Sequence, residues 1–251
     1  MTRRFAAIFS SFALAIGVVV VLPATPALAS PGDAAILDRI EKTDQVIIVT
    51  APNRASTAGT LRTYEKRGDA WRIVQGNTRA QLGYGGLVPA DNRRQGTGTT
   101  PIGTFAITSA FGRAKNPGTT LDYIRVDRND AWTYNPRVPS TYNIFQSVNK
   151  SWKSYGNYVE MLWDYGYQYD YVAIMDFNLP AGPIRTTPNG VRVTDQPGDL
   201  RRGGGIFLHV DNGKKTAGCI AIDRAVMKEV MDWLDPTKNP VIVVEPDRAA
   251  R

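Results

Sequence analysis

The sequence predicts a mainly β domain with a loop-rich insertion and one amphipathic helix close to its C-terminal end. Three observations carry this reading. Short β-branched runs separated by Gly, Pro and Asn recur between Gln45 and Val244. Residues 113–160 mix Arg, Asn, Pro and aromatics without a period, as a long irregular insertion does. Asp223, a good N-cap, precedes Val226, Met227, Val230, Met231, Trp233 and Leu234, which mark one apolar face of a helix. At 251 residues and 43% hydrophobic the chain can bury a core, and its one cysteine and one histidine exclude an intramolecular disulfide and a Cys/His zinc cluster.

Residues 1–29 read as a secretory signal peptide. Arg3 and Arg4 open it, Phe5 to Leu22 is almost wholly apolar, and Ala27-Leu28-Ala29 supplies a small-residue cleavage site. The apolar run is nearly long enough to span a bilayer, so a retained anchor is the alternative. Pro23 and Pro26 break a helix before the cleavage site and favour removal, after which no stable membrane span is expected. Cleavage takes away two arginines and no acid, lowering the net charge from +7 to +5. The basic residues are scattered rather than clustered, which together with export speaks against a nucleic-acid partner and suits work beside an anionic cell envelope.

Residues 30–44 form a helical lead-in, with Asp33 as the expected cap of a helix over 33–42. The remainder, 45–245, reads as one domain with no internal repeat, followed by a short tail, 246–251. Gln45–Thr50 is a β-branched strand closed by Pro52. Thr60–Lys66 and Ala70–Val74 read as a hairpin turning at Gly68-Asp69, which explains Arg67-Gly68-Asp69 as turn chemistry rather than an adhesion motif. A tight Gly/Pro/Thr loop feeds a strand over Thr104–Ser109. Eight of the twenty residues from Trp152 to Tyr171 are Trp or Tyr, and Tyr165, Tyr167, Tyr169 and Tyr171 alternate as one face of a strand would. They either cover the core or form a wall for a glycan or peptide. Tyr171–Asp176 continues as a strand, residues 180–205 are a Pro/Gly-rich approach, Ile206–Val210 is a short apolar strand, and Pro240–Val244 is a last buried one.

The only histidine stands ten residues before the only cysteine. A thiol attacks as thiolate, and an adjacent imidazole can take its proton and return it to a leaving amine. Asn212-Gly213 between them is a natural tight turn that would fold the His209 strand back to bring Cys219 alongside. Gly218 permits close backbone approach there, and amides at this point could face a developing oxyanion. The alternative is a buried, inert cysteine and a hydrogen-bonded core histidine. Lys214 and Lys215 read as solvated loop lysines, with a substrate carboxylate as their other use.

The segment Thr216-Ala217-Gly218-Cys219-Ile220-Ala221-Ile222, with Ile206-Phe207-Leu208-His209-Val210 before it and the capped helix and Pro240–Val244 strand after it, resembles the catalytic end of the L,D-transpeptidase family. It is most similar to a bacterial branch in which Thr-Ala-Gly-Cys replaces the commoner Ser-His-Gly-Cys. Gln45–Pro52, Gly98–Phe105 and Ile174–Asn178 match that branch in kind and order, so the resemblance covers about 45–245. It implies an L,D-transpeptidase-like β-sandwich that acts on peptidoglycan stem peptides outside the cytoplasm, in the cell envelope. Cys219 would be the nucleophile, His209 the general base and acid, and the backbone of Gly218 and Cys219 the oxyanion hole. Family members release a terminal D-alanine, form a thioester and transfer the acyl group to an amine of a second stem, giving a 3-3 cross-link; carbapenems acylate the same thiol. The resemblance implies no metal and no organic cofactor, and the oligomeric state is left open.

Ala217 and Ala221 replace a histidine and an arginine of the commoner pattern, so any substrate grip those side chains provide must be missing or come from elsewhere. The group that orients His209 has three candidates, Asp176, Asn178 and the Val210 carbonyl, with Asp176 ahead because a carboxylate would stabilise imidazolium. A hydrolase using the same thioester and a non-catalytic envelope-binding module built on 152–171 are the competing functions.

Overall fold

In the computed structural model, which describes residues 29–247, the run Gln45–Ala51 forms strand β1 inside a 10-stranded sheet. Val46 to Val49 are apolar in unbroken succession because both faces are covered. Ile47 and Val49 enter the main core, whereas Val46 and Ile48 pack against Ile36 and Leu37 of helix α1, Pro31–Leu37. The expected signal peptide, apart from Ala29, and the tail beyond 247 lie outside the described residues. Among the described residues no helix is long and apolar enough to cross a membrane.

Helix α1 starts earlier than expected and ends sooner. Pro31, whose fixed φ suits the first helical position, places Ser30 at the cap, with Ser30 Oγ accepting from the Asp33 amide at 3.2 Å. Asp33 is therefore not the cap. Its carboxylate is buried, takes the Tyr64 hydroxyl at 2.6 Å and an Arg62 guanidinium nitrogen at 2.8 Å, and so pins the lead-in to the sheet.

Strands β2 (Ala58–Arg67) and β3 (Ala70–Gln81) form the expected hairpin, with Gly68 at φ 61 in its turn. Next come β4 (Leu87–Pro89), the long β5 (Thr100–Gly112) and β6 (Tyr123–Arg125). The insertion contributes a small sheet of β7 (Ala131–Thr133), β8 (Ile144–Gln146) and β9 (Val159–Met161). Strand β10 (Val172–Met175), the hairpin β11 (Arg185–Thr186) and β12 (Arg192–Val193), β13 (Phe207–Val210) and β14 (Ile220–Ile222) follow, then helix α2 (Arg224–Trp233) and β15 (Val241–Pro246). Asp223 caps α2 as expected, accepting from the Ala225 amide at 2.8 Å.

The main sheet runs β10-β13-β14-β3-β2-β1-β15-β5-β4, and β5 also pairs with β10. One long strand thus serves both ends. Gly103–Ala106 pairs with β15 and Ile107–Phe111 with β10, so the sheet closes on itself around the core. Met227, Val230 and Met231 of α2 join that core beside Leu208, Val210, Ile220 and Ile222.

The alternating tyrosines are not a strand. Leu162–Tyr169 forms short 3-10 turns broken at Gly166, φ 66. Tyr165 stacks on Tyr169 at 4.6 Å across the break at Gly166. Tyr165 and Tyr167 stay exposed while Tyr169 and Tyr171 are buried, so the alternation marks no single face. Among the described residues no strand pairs with this segment, whose backbone groups bond within local turns and, at its ends, to Asp130 O and the Arg113 amide.

The insertion is bound to the sheet through aromatic packing. Phe111 of β5 contacts Phe207 of β13 at 5.4 Å, Tyr169 at 5.7 Å, Phe145 at 6.4 Å and Trp132 at 6.5 Å between ring centroids. Replacing Phe111 by Ala is expected to remove about 3–5 kcal/mol of unfolding free energy. Urea unfolding followed by tryptophan fluorescence measures it; a loss under about 1 kcal/mol would contradict this central place for Phe111.

Candidate active site

Strand β13 is buried on both faces, and its period of two divides the side chains. Phe207 joins the aromatic cluster and His209 is on the same side, against Tyr169, whereas Leu208 and Val210 enter the main core. Strand β14 pairs with it in parallel, Leu208 opposite Ile220 and His209 opposite Ala221. Cys219, just before β14, therefore comes level with Phe207, and its sulfur joins the same cluster. The chain does not fold back at Asn212-Gly213 as a hairpin would. The connection 211–219 is a loop that returns to run parallel, and Asp211 and Asn212 form local turns, accepting from the amides of Gly213 and Lys214 at 2.7 and 3.0 Å. Lys214 and Lys215 remain exposed on it.

Two contacts hold this loop. Thr216 exchanges backbone hydrogen bonds with the end of the hairpin, its amide donating to Leu82 O at 3.0 Å and its carbonyl accepting from Tyr84 N at 2.9 Å. The Thr216 hydroxyl donates to Cys219 O at 2.6 Å and accepts from the Gly218 amide at 3.1 Å. Gly218 sits at φ 136, and a Cβ there would lie 2.8 Å from Thr99 O and 2.9 Å from a guanidinium nitrogen of Arg93. Both the torsion and the close approach require glycine at this position.

Cys219 Sγ donates to Gly205 O at 3.2 Å and accepts from the Phe207 amide at 3.4 Å. Burial pushes the thiol up to about 12, the charge of Glu160 adds to that, and the Phe207 amide and Arg93 oppose it. His209 Nδ1 lies 2.9 Å from the Val210 carbonyl. A carbonyl can only accept, so Nδ1 carries the hydrogen and Nε2 keeps its lone pair. Burial lowers His209 to about 4, so at neutral pH the resting pair is thiol and neutral imidazole. The two share a face of adjacent strands, and no hydrogen bond joins them in this resting arrangement.

Of the three candidates for orienting His209, the Val210 carbonyl is the one within hydrogen-bond distance of the ring. Asp176 lies beyond the far end of β10, exposed, where its carboxylate accepts from the Ala106 amide at 2.9 Å. Strand β10 is antiparallel to β13 with Val172 opposite His209, which carries Asp176 away from the imidazole. Asn178 donates instead to the carbonyls of Asp199 and Gly203.

A cleft of about 710 Å³ opens over Cys219, and its lining includes Arg93, Tyr134, Glu160, Gly205 and Ala217. His209 is 4% exposed and stands behind this lining rather than in it. Arg93 is buried and donates to Thr99 O at 2.8 Å, to Ala217 O at 3.3 Å and to Arg202 O. Sequence reasoning missed both Arg93 and Glu160. Arg93 lies in a Gly/Thr-rich loop and Glu160 among aromatics, where no period or motif singles out either. Among the described residues no group of three or more His, Cys, Asp or Glu comes together to hold a metal ion.

The family model of the YkuD L,D-transpeptidase catalytic domain matches residues 44–243. The chain belongs to this family. A comparison with curated proteins gave no match. Among solved structures, a crystal structure of a point mutant of the helical cell shape determining protein Pgp2 from Campylobacter jejuni is similar at 16% identity, with 88% of this chain and 58% of that chain covered and a TM-score of 0.35. The L,D-transpeptidase domain of this chain thus carries its lone cysteine at the cleft floor and its lone histidine one strand away.

The buried imidazole couples stability to pH. Unfolded, it takes a proton near 6.5; folded, only near 4. Between these values the unfolded chain binds more protons, so this contribution is present above about 6.5 and lost as pH falls toward 4. Glu160, raised from 4.5 to about 7, tilts stability the opposite way. The difference between wild type and His209→Gln isolates the histidine: thermal midpoints at pH 7 and pH 4.5 should show the wild type losing more on acidification than the variant. Parallel losses would contradict a neutral buried imidazole.

Proposed function

We propose that the protein is an exported cysteine L,D-transpeptidase that forms 3-3 cross-links in peptidoglycan through a thioester on Cys219. The observation that carries this is the meeting of the chain's sole thiol and sole imidazole on one face of paired strands, with the thiol at the floor of an open cleft. The basic start, apolar run and Ala27-Leu28-Ala29 site favour export, and the family's chemistry supplies the substrate class.

In this reading a donor stem enters the cleft, and Arg137, exposed in its lining, suits a carboxylate of such a peptide. His209 Nε2 takes the Sγ proton as sulfur attacks the carbonyl carbon, and the Val210 carbonyl keeps the ring in the required tautomer. The Cys219 amide faces the developing oxyanion. The Gly218 amide, engaged by Thr216 at rest, joins it only by giving up that bond. The imidazolium then protonates the leaving D-alanine amine, and an acceptor amine releases the thioester. Arg93 stands beside Ala217, donating to its carbonyl at 3.3 Å, and fastens the cleft loops rather than gripping the substrate.

Mature protein incubated with a disaccharide tetrapeptide should release D-alanine and yield a dimer by mass spectrometry, and a carbapenem should add its mass to the chain. Cys219→Ala should abolish all three signals, and His209→Ala should slow acylation about 100-fold or more. D-alanine release without dimer would favour a hydrolase; full function in Cys219→Ala would favour a binding module.

A further inference from the structure

Among the described residues Glu160 is the only carboxylate in the lining of the cleft over Cys219. It stands on β9 of the inserted sheet, opposite Trp132 of β7. The Tyr169 hydroxyl donates to its Oε2 at 2.6 Å, and Tyr134 is a second hydrogen-bond partner. Among the described residues no Lys or Arg forms an ion pair with it. A half-buried carboxylate hydrogen-bonded only by neutral donors is a poor stabiliser. Its other oxygen faces the reacting sulfur's surroundings. A Cβ on Gly205 would lie 3.5 Å from Glu160 Oε1, and Gly205 is the residue whose carbonyl takes the Cys219 thiol hydrogen bond. Gly205 thus borders both the carboxylate and the thiol, and the charge of Glu160 is felt at Cys219.

We propose that Glu160 is the catalytic residue of the acceptor half-reaction: it binds the ammonium group of the incoming acceptor stem and takes the proton that makes it a nucleophile. This rests on the acyl-transfer reading above. An amine attacks only as the free base, and near neutral pH a side-chain amine arrives protonated. The carboxylate supplies the counter-charge that admits the ammonium to an enclosed site, then accepts one proton from nitrogen. The neutral amine attacks the thioester carbonyl, forming the C–N bond. His209 takes the second nitrogen proton, the C–S bond breaks, and the imidazolium returns that proton to the departing sulfur. The products are an amide, the free thiol and one proton on Glu160, which passes to solvent. Burial holds the Glu160 carboxyl up to about 7, where it can both take and release a proton at neutral pH. Tyr134, Tyr165, Tyr169 and Cys219 are the titratable groups around it, and none is cationic.

The test is the partition of one acyl-enzyme in wild type and Glu160→Gln, with the tetrapeptide as donor and either a second tetrapeptide or hydroxylamine as acceptor. Hydroxylamine reaches the site uncharged and needs no base to free its nitrogen. In the variant the ratio of dimer to hydrolysed donor should fall at least tenfold, while the ratio of hydroxamate to hydrolysed donor stays within about twofold of wild type. Because both ratios are read on thioester that has formed, only folded molecules contribute. An unchanged dimer ratio overturns the proposal, as does an equal fall with both acceptors, or a variant that forms no thioester when the wild type does. A wild type that forms no thioester overturns the transpeptidase reading itself, and this proposal with it.

Discussion

The site depends on one buried guanidinium. Arg93 reaches carbonyls of three segments that are far apart in sequence, at Thr99, Ala217 and Arg202, and those segments form the strand β5 entrance, the residues before Cys219 and the approach to β13. A buried cation without such partners would be strongly unfavourable; with three carbonyl dipoles aimed at it, the charge becomes the fastener for the loops that supply them. The fit leaves no spare room. Gly218 has no side chain because one would meet Thr99 O and the Arg93 guanidinium, so the clamp and the glycine beside the cysteine are a single constraint.

The low-dielectric environment built around that clamp sets the electrostatics of the cleft floor. Burial drives the Cys219 thiol up, His209 down and Glu160 up, each toward its neutral form, so the resting site holds its protons on sulfur and Nδ1 and keeps a lone pair on Nε2. In the proposed reaction the thiolate and imidazolium have no reason to exist before a substrate carbonyl is in place to take the negative charge from sulfur. The absence of a thiol–imidazole hydrogen bond at rest agrees with that order of events, since such bonds commonly tighten only in the loaded site.

The insertion, though irregular, is part of the site rather than an appendage. Its small sheet supplies Glu160, its 3-10 turns supply Tyr169, and Phe111 and Phe207 of the main sheet bind both through edge-on ring contacts. Tyr169 alone touches three components, donating to Glu160, packing against Phe207 and meeting the His209 ring edge-on at 5.4 Å. The two halves of the proposed chemistry, acylation by Cys219 with His209 and deacylation with Glu160, are thereby held by one aromatic cluster.

Elements whose signals are local were legible in the residues. The β-branched run of β1, the Gly68 turn and the Asp223 cap with its apolar helix face each follow from near-neighbour chemistry, and the structure contains all of them. Where residues had more than one local solution, the tertiary structure decided. Pro31 moved a helix start ahead of Asp33, Gly166 broke an alternating tyrosine pattern into 3-10 turns, and a parallel return of the chain replaced the hairpin that Asn212-Gly213 suggests. Asp176 follows a strand that pairs with the His209 strand yet stands away from the imidazole, because antiparallel pairing of β10 with β13 sends it to the other end. Arg93 and Glu160 had no sequence signal at all. A residue's place in a cleft assembled from distant loops is a long-range property, and composition, period and spacing record only what happens along the chain. The sequence by itself determined a β-rich domain and the two groups that could carry its chemistry; only closure of the sheet and the packing of the insertion decided what surrounds them.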